Sequence, residues 1–332
     1  MRILITGAGL VGTHAAAELV RHGHRVALLD VHPDRRYVAA VLGPAAAPPA
    51  AMSLDTGDAA DPDAVLRALH EHRAEAVVHT AGLLGAKCND HAYLAFRVNG
   101  GGAAAVAEAA RAAGVRRLIY LSSLAVYDWP AVTGTTVVDE EFPTAPRTPY
   151  GASKLAGELA VRCYQAAGWL DVTVLRLAGV YGPGHFRGGA QLGSLVQHIV
   201  ARAVGGAPVT VPARLSGHEY LHAADAAGVI RLVLEGGRCG VYNVGTGRTF
   251  QAADLAGALR RAVPGAVVAA ADPDPTPSGP ALCVRRARRE LPGWTCRDLD
   301  DGLADLAAAL RAHPWLAWPA VTTKTGEGKE TR

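Results

Sequence analysis

Tyr150 and Lys154, within Pro149-Tyr150-Gly151-Ala152-Ser153-Lys154, are the residues whose types and spacing point most directly to chemistry. On a helix, residues four apart lie one above the other on one face. An ammonium that close to a phenol favours the phenolate and lowers a pKa that ordinarily sits near ~10. Such a tyrosine can take a proton from an alcohol, or return one to a ketone, near neutral pH. Alone, Tyr-x-x-x-Lys also describes an ordinary solvated helix face, so the weight rests on the elements around it.

Residues 2–30 read as strand, glycine turn, helix and strand, with Gly7-Ala8-Gly9-Leu10-Val11-Gly12 as the turn. Gly7 permits the tight bend, Gly9 lets backbone approach a pyrophosphate, and Gly12 lets helix pack on strand. The helix start, at Leu10 and Val11, then offers N–H groups to phosphates. Asp30 ends the second strand, where a carboxylate accepts hydrogen bonds from a ribose and repels a 2′-phosphate, favouring NAD over NADP. Arg35 and Arg36 lie just beyond; they would suit NADP, or form a solvated loop.

Further on, strands are expected at 76–79, 118–122 and 172–177, and helices over 61–72 and 96–113. Such alternation means a parallel sheet with ligands at the carboxyl ends of its strands. Ser122 and Ser123 fall at such an end. Residues 43–51 and the proline-rich 271–280 read as loops. After Gly184 the rhythm changes, with a helix over 192–204, a strand at 209–211, a strand returning to the sheet near Tyr242, and helices over 254–263, 285–291 and 299–311. The expected organisation is an NAD-binding domain over 1–180, to which 225–250 returns. A substrate lobe follows from 181–224 and 251–320, and then a flexible tail over 321–332.

Of the 332 residues, half are hydrophobic and 19% charged, which suits a large core and argues against global disorder. With 33 Lys+Arg against 30 Asp+Glu, the balance gives no case for nucleic acid or a membrane surface. Five scattered cysteines form no Cys-x-x-Cys pair, so reduced thiols are expected and no metal. No apolar run reaches the roughly 18–20 residues of a membrane span. A strand-like run from Arg2 leads to the expectation of a cytoplasmic protein without a leader.

The chain resembles the extended short-chain dehydrogenase/reductase family, of the NAD-dependent epimerase/dehydratase type, over roughly residues 1–312. The resemblance is carried by the glycine turn, Gly57-Asp58, His79-Thr80-Ala81-Gly82, Asn99 and Leu121-Ser122-Ser123 with Val126-Tyr127. The Tyr150–Lys154 segment, Arg176 with Val180-Tyr181-Gly182-Pro183, and Tyr242-Asn243-Val244-Gly245 complete it. It implies a Rossmann-type doubly wound parallel α/β sheet with a smaller C-terminal substrate lobe. It makes Tyr150 the acid/base, Lys154 the group that holds the nicotinamide ribose and lowers the Tyr150 pKa, and Ser123 the hydrogen-bond partner of the reacting oxygen. Gly7, Gly9, Leu10, Val11, Gly12, Asp30, Asp58, Ala81 and Asn99 join Tyr150 and Lys154 around NAD. It also implies a homodimer built on the helices near 93–113 and 150–167.

Three departures bear on the substrate. The glycine turn is one residue shorter than the family's usual Thr-Gly-x-x-Gly-x-x-Gly. The positions where dehydratases of the family carry Asp-Glu are Leu124 and Ala125, which cannot transfer a proton, so dehydration is disfavoured. Nucleotide-sugar members clamp a diphosphate with two arginines. Here His218 stands in one position, and the 270–280 loop offers none. Lys87, Ser123, Arg214 and His218 are the candidate substrate contacts, with Arg285 and Arg286 as further cations. The expected activity is epimerisation of a sugar or sugar-like substrate by transient oxidation of a secondary alcohol. The alternative is an NAD-dependent dehydrogenase or ketoreductase acting on a non-nucleotide substrate such as a sugar acid.

Overall fold

The computed structural model describes residues 1–43, 51–133, 136–184, 191–272 and 281–317. Its first half alternates β1 (Arg2–Thr6), α1 (Leu10–Arg21), β2 (Arg25–Asp30), α2 (Arg35–Leu42), β3 (Met52–Thr56), α3 (Pro62–Glu71) and β4 (Ala76–His79). Two short helices, α4 (Ala86–Asp90) and α5 (Ala92–Ala95), lead through a wider π-type turn, Phe96–Gly101, into α6 (Gly102–Ala112). Then come β5 (Arg117–Ser123), α7 (Pro149–Ala166), β6 (Asp171–Leu177), β7 (Gly179–Tyr181), α8 (Gln191–Val204), β8 (Val209–Val211) and β9 (Tyr220–His222). The chain continues with α9 (Ala223–Gly236), β10 (Gly240–Val244), α10 (Ala252–Ala262), β11 (Val268–Ala270), α11 (Arg285–Glu290) and α12 (Leu299–Ala312).

Seven strands form one parallel sheet in the order β10-β6-β5-β4-β1-β2-β3. Strand order reverses between β1 and β4, which opens the crevice where ligands of such sheets bind. The strands are apolar on both faces, as burial between two helix layers requires. Ile3, Ile5, Val78, Ile119 and Leu121 face the side packed by α1 and α9. Leu4, Val77, Leu118 and Tyr120 face the side packed by α3, α6 and α7. A further core joins α8, β8, α10 and α12 through Val196, Val200, Leu255, Leu259 and Leu303. Among the described residues no helix is long and apolar enough to cross a membrane.

Several expectations need correction. Arg35 and Arg36 open a helix rather than a loop, capped by Asp34, whose Oδ1 accepts the Tyr37 N–H at 3.0 Å. Met52–Thr56 is a sheet strand that the sequence hid, because only Leu54 on it is buried. The helix expected over 96–113 is present over Phe96–Ala112, but its first six residues, Phe96–Gly101, are wound as a π-type turn. The pair β7 and β9, three residues each, is too short to betray itself by pattern. Residues 44–50, 273–280 and 318–332, which hold most of both expected loops and the expected tail, lie outside the described residues.

Candidate active site

Ser123 is the last residue of β5, and Tyr150 and Lys154 stand on the first turns of α7. Thr148 starts α7, its Oγ1 accepting the Gly151 N–H at 3.1 Å, and Pro149 fills the first helical position, where no N–H is required. Ser123 lies close enough to Tyr150 to favour its phenolate, and Ser123 Oγ accepts the Ala125 N–H at 3.1 Å. Lys154 is buried, with Nζ 4.7 Å from the centre of the Tyr120 ring. The Tyr120 hydroxyl donates to the Lys154 carbonyl at 3.1 Å. The structure thus brings Ser123, Tyr150 and Lys154 together.

The electrostatics differ from the expectation. Burial pushes the Tyr150 phenol up to about 12, the Ser123 hydrogen bond pulls it part of the way back, and Lys154 has no resolved part in it. Burial lowers Lys154 to about 8, against smaller upward effects from Cys88 and Glu158. Within the chain alone, desolvation therefore outweighs the phenol–ammonium pairing read from spacing.

Asn99 is buried in the π-type turn, a geometry that often marks functional positions. Its Oδ1 accepts the Leu83 N–H at 2.8 Å, and its Nδ2 donates to the Leu83 carbonyl at 3.1 Å and to Ser153 Oγ at 2.9 Å. Asn99 so ties the Ala81–Leu83 turn to α7. His79 donates or accepts at Nδ1 with Thr6 Oγ1, 2.6 Å away, while its buried Nε2 has no partner among the described residues.

The glycine turn meets β4 closely. Gly7 has φ +91°, and a Cβ on Gly12 would sit 1.9 Å from the Gly7 carbonyl oxygen. A Cβ on Gly9 would meet nothing within 4 Å, so the backbone there is open to a phosphate. Asp30 lies beside it, Oδ2 accepting the Ala8 N–H at 2.7 Å and Oδ1 the His32 N–H at 2.8 Å. Each oxygen keeps a lone pair for a ribose hydroxyl. Arg35 donates to the Leu54 carbonyl at 3.3 Å, and the Arg36 guanidinium lies 4.2 Å from the Trp315 ring. Both arginines have partners of their own, and the carboxylate faces the turn. These residues fit NAD. Asp58 is exposed, Oδ1 accepting the Ala60 N–H at 2.9 Å, and Ala81 follows Thr80, whose Oγ1 donates to Gly7 O at 2.9 Å.

Of the substrate candidates, Ser123 lies in the site and the other three are on the surface. Lys87 is exposed on α4. Arg214 and His218 are exposed, His218 Nε2 lying 3.1 Å from the Arg214 carbonyl. No hydrogen bond or ion pair joins either to Ser123, Tyr150 or Lys154 among the described residues. Arg286 is engaged by Glu141 at 2.9 Å and the Val241 carbonyl at 3.2 Å, and Arg285 Nε lies 3.2 Å from Cys283 Sγ. What sequence reasoning missed is Glu158, fully buried on α7, with Oε2 accepting from Ser122 Oγ at 3.0 Å and Arg176 Nε at 3.1 Å. The signal was present: Tyr150, Lys154 and Glu158 repeat every four residues on one helix face.

The model of the NAD dependent epimerase/dehydratase family matches residues 3–245. UDP-glucose 4-epimerase of Corynebacterium glutamicum is 31% identical over 324 residues, 90% of this chain and 92% of that protein. D-erythronate dehydrogenase of Cupriavidus necator is 32% identical over 279 residues, 80% of this chain and 83% of that one. The crystal structure of Thermus thermophilus UDP-glucose 4-epimerase in complex with NAD is similar at a TM-score of 0.78 and 29% identity, covering 94% of this chain and 100% of that chain. With a family match over most of its length and an NAD crevice built from its own residues, the chain belongs to the NAD-dependent epimerase/dehydratase family.

Proposed function

We propose that the protein is an NAD-dependent epimerase of a sugar or sugar-like substrate. The observation that carries this reading is the placing of Ser123, at the carboxyl end of β5, close to Tyr150 on the first turn of α7, with Lys154 one helical turn on. Bound NAD supplies the hydride acceptor for an alcohol carbon and the donor for its return. Gly9 and the α1 N-terminus receive its pyrophosphate, and Asp30 its adenosine ribose. Ser123 Oγ holds the substrate oxygen, and Tyr150 takes the proton from that oxygen and gives it back. A phenol held near 12 is a hydroxyl donor at neutral pH, so it is ready to protonate a keto oxygen. Its work as a base needs cationic charge close by, and Lys154 is the chain's own nearby cation. Leu124 and Ala125 leave the two positions after Ser123 without a proton-transfer group, which favours return of the hydride over loss of a hydroxyl.

The second reading is net oxidation of a sugar acid. It is favoured by the similarity to D-erythronate dehydrogenase and by His218 in place of an arginine. The two separate in one experiment, in which purified protein is mixed with candidate sugars and nicotinamide absorbance is followed. An epimerase carries NAD through purification and interconverts epimers with no net absorbance change. Stoichiometric reduction of added NAD would replace this reading with the second.

The protein is further proposed to be a homodimer. Tyr93 and Phe96, on α5 and the turn after it, and Leu159 on the adjoining α7 are large apolar side chains left exposed. A helix pair with such a face is suited to a two-fold, self-complementary interface.

A further inference from the structure

We propose that Trp315 is a specificity-determining residue for the cofactor: from the C-terminal segment its ring holds Arg36 away from the adenosine ribose, and so leaves the choice of NAD over NADP with Asp30. The inference rests on the NAD crevice and is independent of the reaction proposed for it.

The residues just after Asp30 are ones that suit a phosphate. NADP differs from NAD by a phosphate on the adenosine ribose, and an arginine near the end of the second strand is the usual means of receiving it. Arg35 and Arg36 open α2, five and six residues after Asp30. Two cations in the first turn of a helix stand against its dipole, and an anion placed there would relieve both. The Asp30 carboxylate repels such a phosphate, but a guanidinium free to reach it would offset the repulsion through charge-assisted hydrogen bonds. Discrimination therefore depends on where the two arginines are held.

The fold holds both elsewhere. Arg35 donates to the Leu54 carbonyl of β3 at 3.3 Å. The Arg36 guanidinium lies over the Trp315 ring, 4.2 Å from its centre. Stacking of this kind fixes a guanidinium without neutralising it. Trp315 is not a loose surface ring. It is half-buried and packs against the core shared by α8, α10 and α12. The next residue, Leu316, is buried in that core, and its carbonyl accepts from Gln197 Nε2 at 2.7 Å. The other side of the stack is anchored in the same core. Tyr37, next to Arg36, is fully buried there, its hydroxyl donating to the Pro183 carbonyl at 3.3 Å, and Val41 of α2 packs alongside. Ring and guanidinium are thus both carried by fixed backbone, and the helix that follows the Asp30 strand takes its position partly from the C-terminal segment.

The test is binding and needs no substrate. NAD and NADP are titrated separately into full-length protein by calorimetry, after removal of any copurified cofactor. In Trp315→Ala, NADP affinity is expected to rise by roughly fivefold or more while NAD affinity stays within about twofold. Trp315→Leu keeps apolar bulk against the core but loses the ring face, and should shift the ratio in the same direction. Adding Arg36→Ala to either variant should return the ratio to that of wild type, since the gain runs through that guanidinium. Arg36→Ala alone, with Trp315 untouched, should leave NADP affinity as it was. An unchanged NADP-to-NAD ratio in the Trp315 variants, an equal loss of both cofactors, or a gain that survives removal of Arg36 each overturns the proposal. A clear drop in NADP affinity in Arg36→Ala alone does the same, because Arg36 would then already serve the phosphate. Failure of the wild type to bind NAD would instead strike the reading of the crevice itself.

Discussion

At the scale of the residue, the site depends on which charges the fold leaves unsolvated. Tyr150 sits near 12 and Lys154 near 8 for the same reason, burial, acting on groups whose charged forms have opposite sign. Tyr150→Phe keeps the ring and removes the proton-bearing oxygen. Turnover is expected to fall by roughly 10²–10⁴-fold, the usual worth of a positioned acid/base, while NAD still binds. Steady-state kinetics beside NAD titration by fluorescence quenching checks both halves, and unchanged turnover would remove Tyr150 from the mechanism. Asp30→Ala is expected to weaken NAD binding by about tenfold or more, since a ribose would lose a charge-assisted acceptor. Isothermal titration gives that ratio, and equal affinity would place the ribose elsewhere.

At the scale of the element, α7 must lie close enough to β5 and to the Asn99 turn for Tyr150 and Lys154 to reach the sheet's carboxyl edge. Gly157 permits this approach. A Cβ there would lie 2.3 Å from the Tyr120 hydroxyl and 2.6 Å from the Asn99 carbonyl oxygen. Gly157→Ala gains helix propensity but must push α7 away, at a net cost of about 1–3 kcal/mol. The displacement also reaches Lys154, whose carbonyl accepts from that same Tyr120 hydroxyl. Urea denaturation should show a lower midpoint, with kcat falling further than the stability loss explains. A variant as stable and as active as wild type would mean that the helix has slack the packing does not show.

At the scale of the whole molecule, pH acts through groups that no single site contains. Burial lowers His14 to about 4 and His79 to about 3, so both are neutral when folded and protonate near 6.5 when unfolded. Between those values the unfolded chain binds more protons, so stability is present above about pH 6.5 and drains away as pH falls toward 4. Glu219 opposes this. Burial raises it to about 7 against the pull of the Leu282 and Gly247 N–H groups, so between about 4.5 and 7 the folded chain holds the extra proton and stability falls as pH rises. Two histidines against one carboxylate give a net rise in stability up to about pH 7. Glu219→Gln should steepen the rise between about 4.5 and 7. Thermal unfolding from pH 4.5 to 7.5 tests this, and identical slopes in the two proteins would contradict it. The dimer belongs to this scale too. Leu159→Arg should convert a dimer to monomers in sedimentation, and a monomeric wild type would rule the interface out.

The local motifs were legible because each is a run of neighbours. The glycine turn, the acid at the end of β2, the Ser123 strand end and the Tyr150–Lys154 step are sequence-local, and the alternation of strand-like and helix-like runs marked most of the elements that carry them. Short or weakly amphipathic pieces were not legible: β3 buries a single leucine, and β7 and β9 have three residues. Desolvation was beyond reach altogether, because spacing reports how near two charges can come but not how much water either keeps. That is why Tyr150 and Lys154 could be named from the chain alone, while the direction of the phenol's shift required the packed structure. The same holds for Glu158. Its place on the helical stripe is written in the sequence, but Arg176 and Ser122, which hold its carboxylate, come from separate strands, and only folding brings them around it.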